Sequence, residues 1–174
     1  ESMLILACGT SYHAALVGKY LVEELVGIPV RAELATEFNY YGRTLARTMA
    51  IVITQSGETA DTLKAIRRLK GVGCQVLAIT NVVGSTASRI ADQAIYTRAG
   101  PEISVAATKS FIAQLMVLYW LAMSYSKADT RRLASLLMWL RQLPSKVQQI
   151  LDNEDKILEY ARYLSRYEDV FFIG

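Results

Sequence analysis

The residues best placed to do chemistry lie in Thr54-Gln55-Ser56-Gly57-Glu58-Thr59. Three hydroxyls, one amide and one glycine sit side by side, directly after an apolar run and directly before a helical pattern. Hydroxyls and amides donate hydrogen bonds, and glycine lets the backbone approach a ligand closely. A helix that opens here offers unpaired N–H groups and roughly half a positive charge at its N-terminus. That is the chemistry of an anion cradle, and phosphate is the anion it suits. Ordinary capping by Ser and Thr would draw on the same residue types. A second stretch, Cys8-Gly9-Thr10-Ser11, repeats the arrangement, so Thr10 and Ser11 are candidate ligand donors or N-caps. A third, Ser104 to Lys109, places small residues before a long apolar helix, where they allow close approach to a ligand. Lys109 falls in that helix's first turn, against the dipole, which predicts an acidic partner, Glu102 or Glu58.

Other chemistry is excluded or disfavoured. His13 is the only histidine, which argues against His-based zinc sites and against a Ser-His triad within this chain. It falls in the first turn of a helix, where the dipole opposes protonation, and reads as a neutral surface or boundary residue. Cys8 and Cys74 have no metal spacing and read as free thiols of a reducing cytoplasm, with no signal peptide in view. The 174 residues carry a scattered net charge of +3, without a basic cluster interleaved with aromatics, so nucleic acid is not an expected partner. Hydrophobic residues make up 52% and charged residues 20%, the balance of a globular chain with a proper core. The longest apolar helix candidate, Phe111 to Tyr125, contains Gln114 and is too short to span a bilayer, so it reads as a buried or interface helix and no membrane partner is expected.

The elements that must position these residues follow from periodicity. Met3 to Ala7, Pro29 to Leu34, Met49 to Ile53, Gln75 to Thr80 and Gln93 to Thr97 read as strands. Helical patterns alternate with them. One follows Ser11 and stops at Gly27 and Pro29; another puts Ala60, Leu63, Ile66 and Leu69 on one face and Lys64, Arg67, Arg68 and Lys70 on the other. Ala35 to Phe38 reads as a short helical turn, Tyr40 to Arg43 as a loop, and Ser85 as the cap of a short helix. Alternating strands and helices predict a parallel α/β sheet covered on both faces. In such sheets ligands bind beyond the carboxyl ends of the strands, so the Cys8–Ser11 and Thr54–Thr59 turns could converge on one ligand. Asp129 to Leu143 and Ser145 to Leu164 read as two amphipathic helices separated at Pro144. Asp169 to Gly174 repeats the apolar-then-Gly pattern of Leu4 to Gly9. With the start at Glu1-Ser2, this suggests a piece of a longer chain that continues into a second, similar unit. The expected division is residues 1–127 as a ligand-binding domain, 128–167 as linking helices and 168–174 as the first strand of that second unit.

Several blocks together resemble a known family: Cys8-Gly9-Thr10-Ser11-Tyr12-His13, Glu33 to Phe38, Gln55 to Leu63, Ile79-Thr80-Asn81, and Gly100-Pro101-Glu102-Ile103 with Val105-Ala106 and Thr108-Lys109. They are similar to the first of the two sugar-isomerase (SIS) halves in the isomerase domain of the glucosamine-6-phosphate synthases, in order along nearly the whole chain. The resemblance implies a five-stranded parallel sheet in a three-layer α/β/α sandwich, flavodoxin-like, with C-terminal helices. It implies an aminotransferase and isomerase that makes glucosamine 6-phosphate from fructose 6-phosphate and glutamine for amino-sugar synthesis, with no metal or organic cofactor. A glutaminase domain and a second SIS half would belong to the same full-length chain, and the family's habit is a homodimer. Carried over by position, the phosphate contacts fall on Ser11, Thr54, Gln55, Ser56 and Thr59, and Thr10 with the loop of Val105 and Ala107 would line the sugar. Glu58 beside a dianion should point away, toward Lys109 or Arg89. Thr54 stands where the family usually has Ser, and Ala107 where many members have Ser, which removes one donor. The family's acid/base glutamate, Schiff-base lysine and ring-opening histidine belong to the later half or a neighbouring subunit, so no catalytic residue is expected in this chain. The alternatives are another SIS protein, such as a fructosamine-phosphate deglycase or a phosphosugar isomerase, or a phosphosugar-sensing regulatory module.

Overall fold

The structure is a computed structural model that describes residues 2–43, 48–103 and 107–171. The chain divides into two units, residues 1–128 and 129–174.

The first unit is built on strands β1 (Met3–Ala7), β2 (Val30–Leu34), β3 (Met49–Thr54), β4 (Gln75–Thr80) and β5 (Gln93–Tyr96). Among the described residues these form one five-stranded sheet in the order β2-β1-β3-β4-β5, with every pairing parallel. The helices are α1 (Thr10–Leu25), α2 (Ala35–Tyr41), α3 (Ala60–Gly71), α4 (Thr86–Ile90) and α5 (Lys109–Ser124). Helices α1 and α5 pack together, and α2, α3 and α4 pack as a second group. Leu4, Leu6, Ala50, Val52 and Val76 join Phe38, Leu63, Ile66 and Leu69 in one core. Alternate strand residues, Ile5, Ile53 and Ile79, are also buried, so both faces of the sheet are covered. The expected sandwich is the observed one.

The order of the strands matters most for a ligand. From β1 the chain crosses to β2 on one side, and from β3 it crosses to β4 on the other. Strands β1 and β3 are therefore neighbours whose connections leave in opposite directions. Their register pairs Ala7 with Ile53, so the turns at Cys8 and Thr54 emerge side by side. This is the topological switch point of an open α/β sheet, where a crevice forms beyond the strand ends.

Three local expectations are corrected. Helix α2 continues through Tyr41 instead of giving way to a loop after Phe38. Its end is held from a distance: Arg68 donates to the carbonyls of Phe38 and Gly42, and the Asn39 amide donates to the Asp61 carbonyl at 2.9 Å. Ala60 is exposed, and the buried face of α3 consists of Thr62, Leu63, Ala65, Ile66 and Leu69. Pro144 does not separate two helices. It lies inside α6 (Thr130–Leu151), and the break before α7 (Glu154–Leu164) comes at Asp152 and Asn153. Proline costs a helix one hydrogen bond and a carbonyl clash, and the intact turns on either side outweigh that cost here.

These two helices make up the second unit. Asp129 caps α6 by accepting the Arg132 N–H at 2.8 Å, and Glu154 and Asp155 favour the start of α7. Residues 169–171, the described part of the expected last strand, have no strand partner, and residues 172–174 lie outside the described residues. No described helix of the chain is long and apolar enough to cross a membrane.

Candidate functional site

A cleft of about 230 Å³ opens at the switch point, lined by Cys8, Gly9, Thr10, Ser11, Ile53, Thr54, Gln55, Ser56, Thr59, Thr62, Glu102 and Ala107. Of the site residues expected from the sequence, Thr10, Ser11, Thr54, Gln55, Ser56, Thr59 and Ala107 all line it. Val105 lies outside the described residues. His13 is exposed and Glu37 is exposed, and neither lines the cleft.

The turn after β3 is shaped by Gly57, whose φ of +70° lies in the left-handed region. A Cβ at this position would fall 2.2 Å from Ser85 Oγ and 2.9 Å from Thr80 Oγ1, so only glycine fits. The turn is clamped to the end of β4. Asn81 N–H donates to the Gln55 carbonyl at 3.1 Å and Ala87 N–H to the Gly57 carbonyl at 2.9 Å. Glu58 turns away from the cleft and accepts the Thr86 N–H at 2.7 Å. That backbone N–H, helped by the charge of Arg89, holds the Glu58 carboxyl below its usual range. Glu58 therefore caps α4. Ser85 occupies the N-cap position, as expected, but makes no side-chain cap bond itself.

The hydroxyls of the cleft share a polarity. Thr54 Oγ1 accepts the Gly57 N–H at 3.2 Å, Ser56 Oγ accepts the Glu58 N–H at 3.1 Å, and Ser11 Oγ accepts the Gln114 Nε2–H at 3.0 Å. A hydroxyl oxygen already engaged as an acceptor has its own hydrogen available to donate. Thr59 sits at the N-cap of α3 without making a side-chain cap bond, and its hydroxyl lies 3.3 Å from that of Thr54. The first-turn N–H groups of α3 have no intrahelical acceptor, as in any helix. The cleft thus collects donors, while the described residues lining it include no lysine or arginine. It can hold an acceptor-only anion by hydrogen bonds and the helix dipole.

The carboxylate in the lining is accounted for. Glu102 accepts from the N–H and hydroxyl of Thr108 at 3.2 and 3.1 Å, and from the N–H and hydroxyl of Ser110 at 3.0 and 2.6 Å. The Ser110 bonds, then those of Thr108, lower its pKa from 4.5 to about 2. Glu102 is the distant cap of α5, and it takes that helix terminus out of play for a ligand. Among the described residues Lys109 has no acidic partner: Glu102 and Glu58 are both occupied by backbone N–H groups, and Lys109 is exposed. Ion pairs among the described residues include Arg31–Glu33 and Lys70–Asp92.

Sequence reasoning missed Cys8, Thr62 and Glu102 as lining residues, although Cys8 opens a quoted motif and Thr62 Oγ1 lies 3.8 Å from its sulfur. It also missed the role of Asn81. The Asn81 side chain accepts from Thr97 Oγ1 and Ala99 N–H and donates to the Gly100 carbonyl, which fixes the loop that leads to Glu102.

Comparison with known proteins agrees with this fold. The whole chain aligns with glutamine–fructose-6-phosphate aminotransferase [isomerizing] of Caldanaerobacter subterraneus, at 45% identity over 29% of that protein. The protein of the same description from Methanosarcina acetivorans is 49% identical over 98% of this chain and 28% of its own length. The chain therefore spans less than a third of these curated relatives. Among solved structures, the C-terminal domain of glucosamine-fructose-6-phosphate aminotransferase from Francisella tularensis superposes with a TM-score of 0.89 at 33% identity, over 96% of this chain and 48% of that one. Residues 1–124 match the SIS domain, and the chain belongs to the SIS domain family.

Proposed function

We propose that the cleft between β1 and β3 binds the phosphate of fructose 6-phosphate, and that this chain is the first SIS half of the isomerase domain of a glucosamine-6-phosphate synthase. The observation that carries the reading is the common polarity of Ser11, Thr54 and Ser56, each with its oxygen engaged from within the protein. A phosphate monoester carries roughly −1.5 to −2 charge at neutral pH and only accepts hydrogen bonds, apart from a residual acidic proton. Prearranged neutral donors at a helix N-terminus suit it, and need no balancing cation. Similarity to the aminotransferases over their own sequences supports the choice of sugar phosphate.

In this reading Ser11, Thr54, Gln55, Ser56 and Thr59 hold the ester group. Thr10, Val105 and Ala107 line the sugar. Ala107 offers no hydroxyl, so the sugar loses one hydrogen bond at that position. The groups that open the ring and move the proton come from the second SIS half or a neighbouring subunit. A glutaminase domain supplies the nitrogen, the assembled protein is a cytoplasmic homodimer, and the 174-residue chain by itself binds substrate without turning it over.

The test is titration of the chain with fructose 6-phosphate, followed by amide NMR shifts or calorimetry, for wild type and for Ser56→Ala with Thr59→Val. Loss of a hydrogen bond to a charged group weakens binding by about 1.5–3 kcal/mol. Unchanged affinity in the double variant overturns the assignment of the phosphate site.

A further inference from the structure

Gln114, like Asn39, is a buried amide whose oxygen has no hydrogen-bond partner among the described residues, and it is the one of the two that touches a residue lining the cleft. It lies on α5, outside the lining of the cleft, and is 1% exposed. Its Nε2 donates to Ser11 Oγ across 103 residues of sequence, while its Oε1 is buried with no hydrogen-bond partner among the described residues. A buried, unpaired amide oxygen is a cost to folding. An apolar side chain of the same shape would avoid that cost, and the buried residues that follow it on α5, Leu118 and Ala122, are apolar. The packing around the pair is set by close approach of α1 and α5: a Cβ on Gly18 would meet Leu118 at 3.0 Å. Ser11 and Gly18 on α1 thus face Gln114 and Leu118 on α5 in the same direction along both helices.

We infer that Gln114 is a positioning residue for the sugar-phosphate cleft: by donating to the Ser11 oxygen, its amide leaves the Ser11 hydrogen for the ligand and disfavours the orientations in which that hydroxyl would donate to a carbonyl of its own helix. The inference deepens the proposed function and rests on it. A serine on the first turn of a helix can otherwise turn its hydrogen toward a local carbonyl. With Gln114 N–H on its oxygen, the Ser11 hydrogen is directed to the open side, where a phosphate oxygen completes the chain Gln114–Ser11–phosphate. Bonds in such a chain polarise one another, so the amide strengthens a contact that it does not itself make.

The experiment measures fructose 6-phosphate affinity and melting temperature for the chain with Ser11→Ala, Gln114→Met, Gln114→Glu, and Ser11→Ala with Gln114→Met. Ser11→Ala weakens binding by about tenfold or more, the loss of one hydrogen bond to a charged group. Gln114→Met weakens it by roughly threefold or more, at an unchanged or higher melting temperature, because the orphan oxygen is gone. Gln114→Glu weakens it further, since a carboxylate claims the Ser11 proton and faces the dianion. In the Ser11→Ala background, Gln114→Met has less than about a twofold effect, because the two residues act as one unit. If Ser11→Ala leaves affinity unchanged, the phosphate reading itself fails and this inference with it. If Ser11→Ala weakens binding and Gln114→Met does not, the inference alone fails. A lower melting temperature with equal losses in both backgrounds assigns Gln114 to packing and also overturns it. Should the Gln114 variants not fold, the wild-type Gln114 side-chain NH₂ signals decide: they shift with the same midpoint as the cleft amides, and stationary signals overturn the inference.

Discussion

Substituting Gly57 by alanine strikes the turn on which the cleft depends. Two costs arise, and they are separable. The first is conformational: an L residue held at φ +70° loses about 1–2 kcal/mol relative to its preferred regions. The second is steric. The new Cβ would lie 2.4 Å from Ser85 Cβ and 2.2 Å from its Oγ, with Thr80 Oγ1 at 2.9 Å. Ser85 is buried at the start of α4 and Thr80 is fully buried at the end of β4, so neither can step aside freely. Overpacking of this kind costs about 1–3 kcal/mol. Gly57→Ala should therefore destabilise the first unit by about 2–5 kcal/mol in urea unfolding. Adding Ser85→Gly removes the nearest atoms and should return the steric part, leaving about 1–2 kcal/mol from the backbone. Ligand binding follows the turn, because displacement of Gly57 N–H releases the Thr54 hydroxyl it holds. A Gly57→Ala protein within about 0.5 kcal/mol of wild type, the range of ordinary surface changes, would refute the geometry argued for this turn. So would a double variant no more stable than the single one.

Other consequences are as specific. Glu102 has its pKa lowered from 4.5 to about 2, so its contribution to stability is present above pH 4.5 and is lost as the pH falls from there toward 2. The stability difference between wild type and Glu102→Gln, followed by denaturant titration across that range, should shrink with falling pH; a difference independent of pH contradicts the capping role. Arg68→Met removes the donors on the Phe38 and Gly42 carbonyls, and should cost about 1.5–3 kcal/mol with loss of α2 protection in hydrogen exchange. Pro144→Ala should raise the helical circular dichroism signal and its thermal midpoint, since proline is up to about 3 kcal/mol worse than alanine inside a helix. No change would mean that α6 is not continuous through residue 144.

What the sequence made legible is what short-range physics controls. Apolar runs closed by glycine and hydroxyl residues marked the strands, and the alternation with α1 and α3 marked the sheet as parallel. The two turns at Cys8 and Thr54 announced themselves because a ligand beyond a strand end needs those residue types. Their meeting in one cleft depended on strand order, which periodicity does not encode; adjacency of β1 and β3 supplies it. The misses share a cause: donors and acceptors far apart in the chain. Helix α2 runs to Tyr41 because Arg68, 30 residues after Phe38, holds its end. Among the described residues Lys109 lacks its expected acid, because Glu102 and Glu58 serve as caps at a distance. Pro144 read as a break because local propensity favours one, yet the helix carries it. Gln114 read only as a polar residue in an apolar helix, and its meaning comes from Ser11 on another helix.

The central claim is that a sugar phosphate places its ester group among the hydroxyls between β1 and β3. Crystals of the chain soaked with fructose 6-phosphate test it directly. The account predicts phosphate oxygens within hydrogen-bond distance of the Ser11, Ser56 and Thr59 hydroxyls, with the sugar extending toward Thr10 and Ala107. Density for the ester group anywhere else, such as the apolar pocket bounded by Met3, Val22 and Leu121 at the opposite end of the sheet, would contradict it.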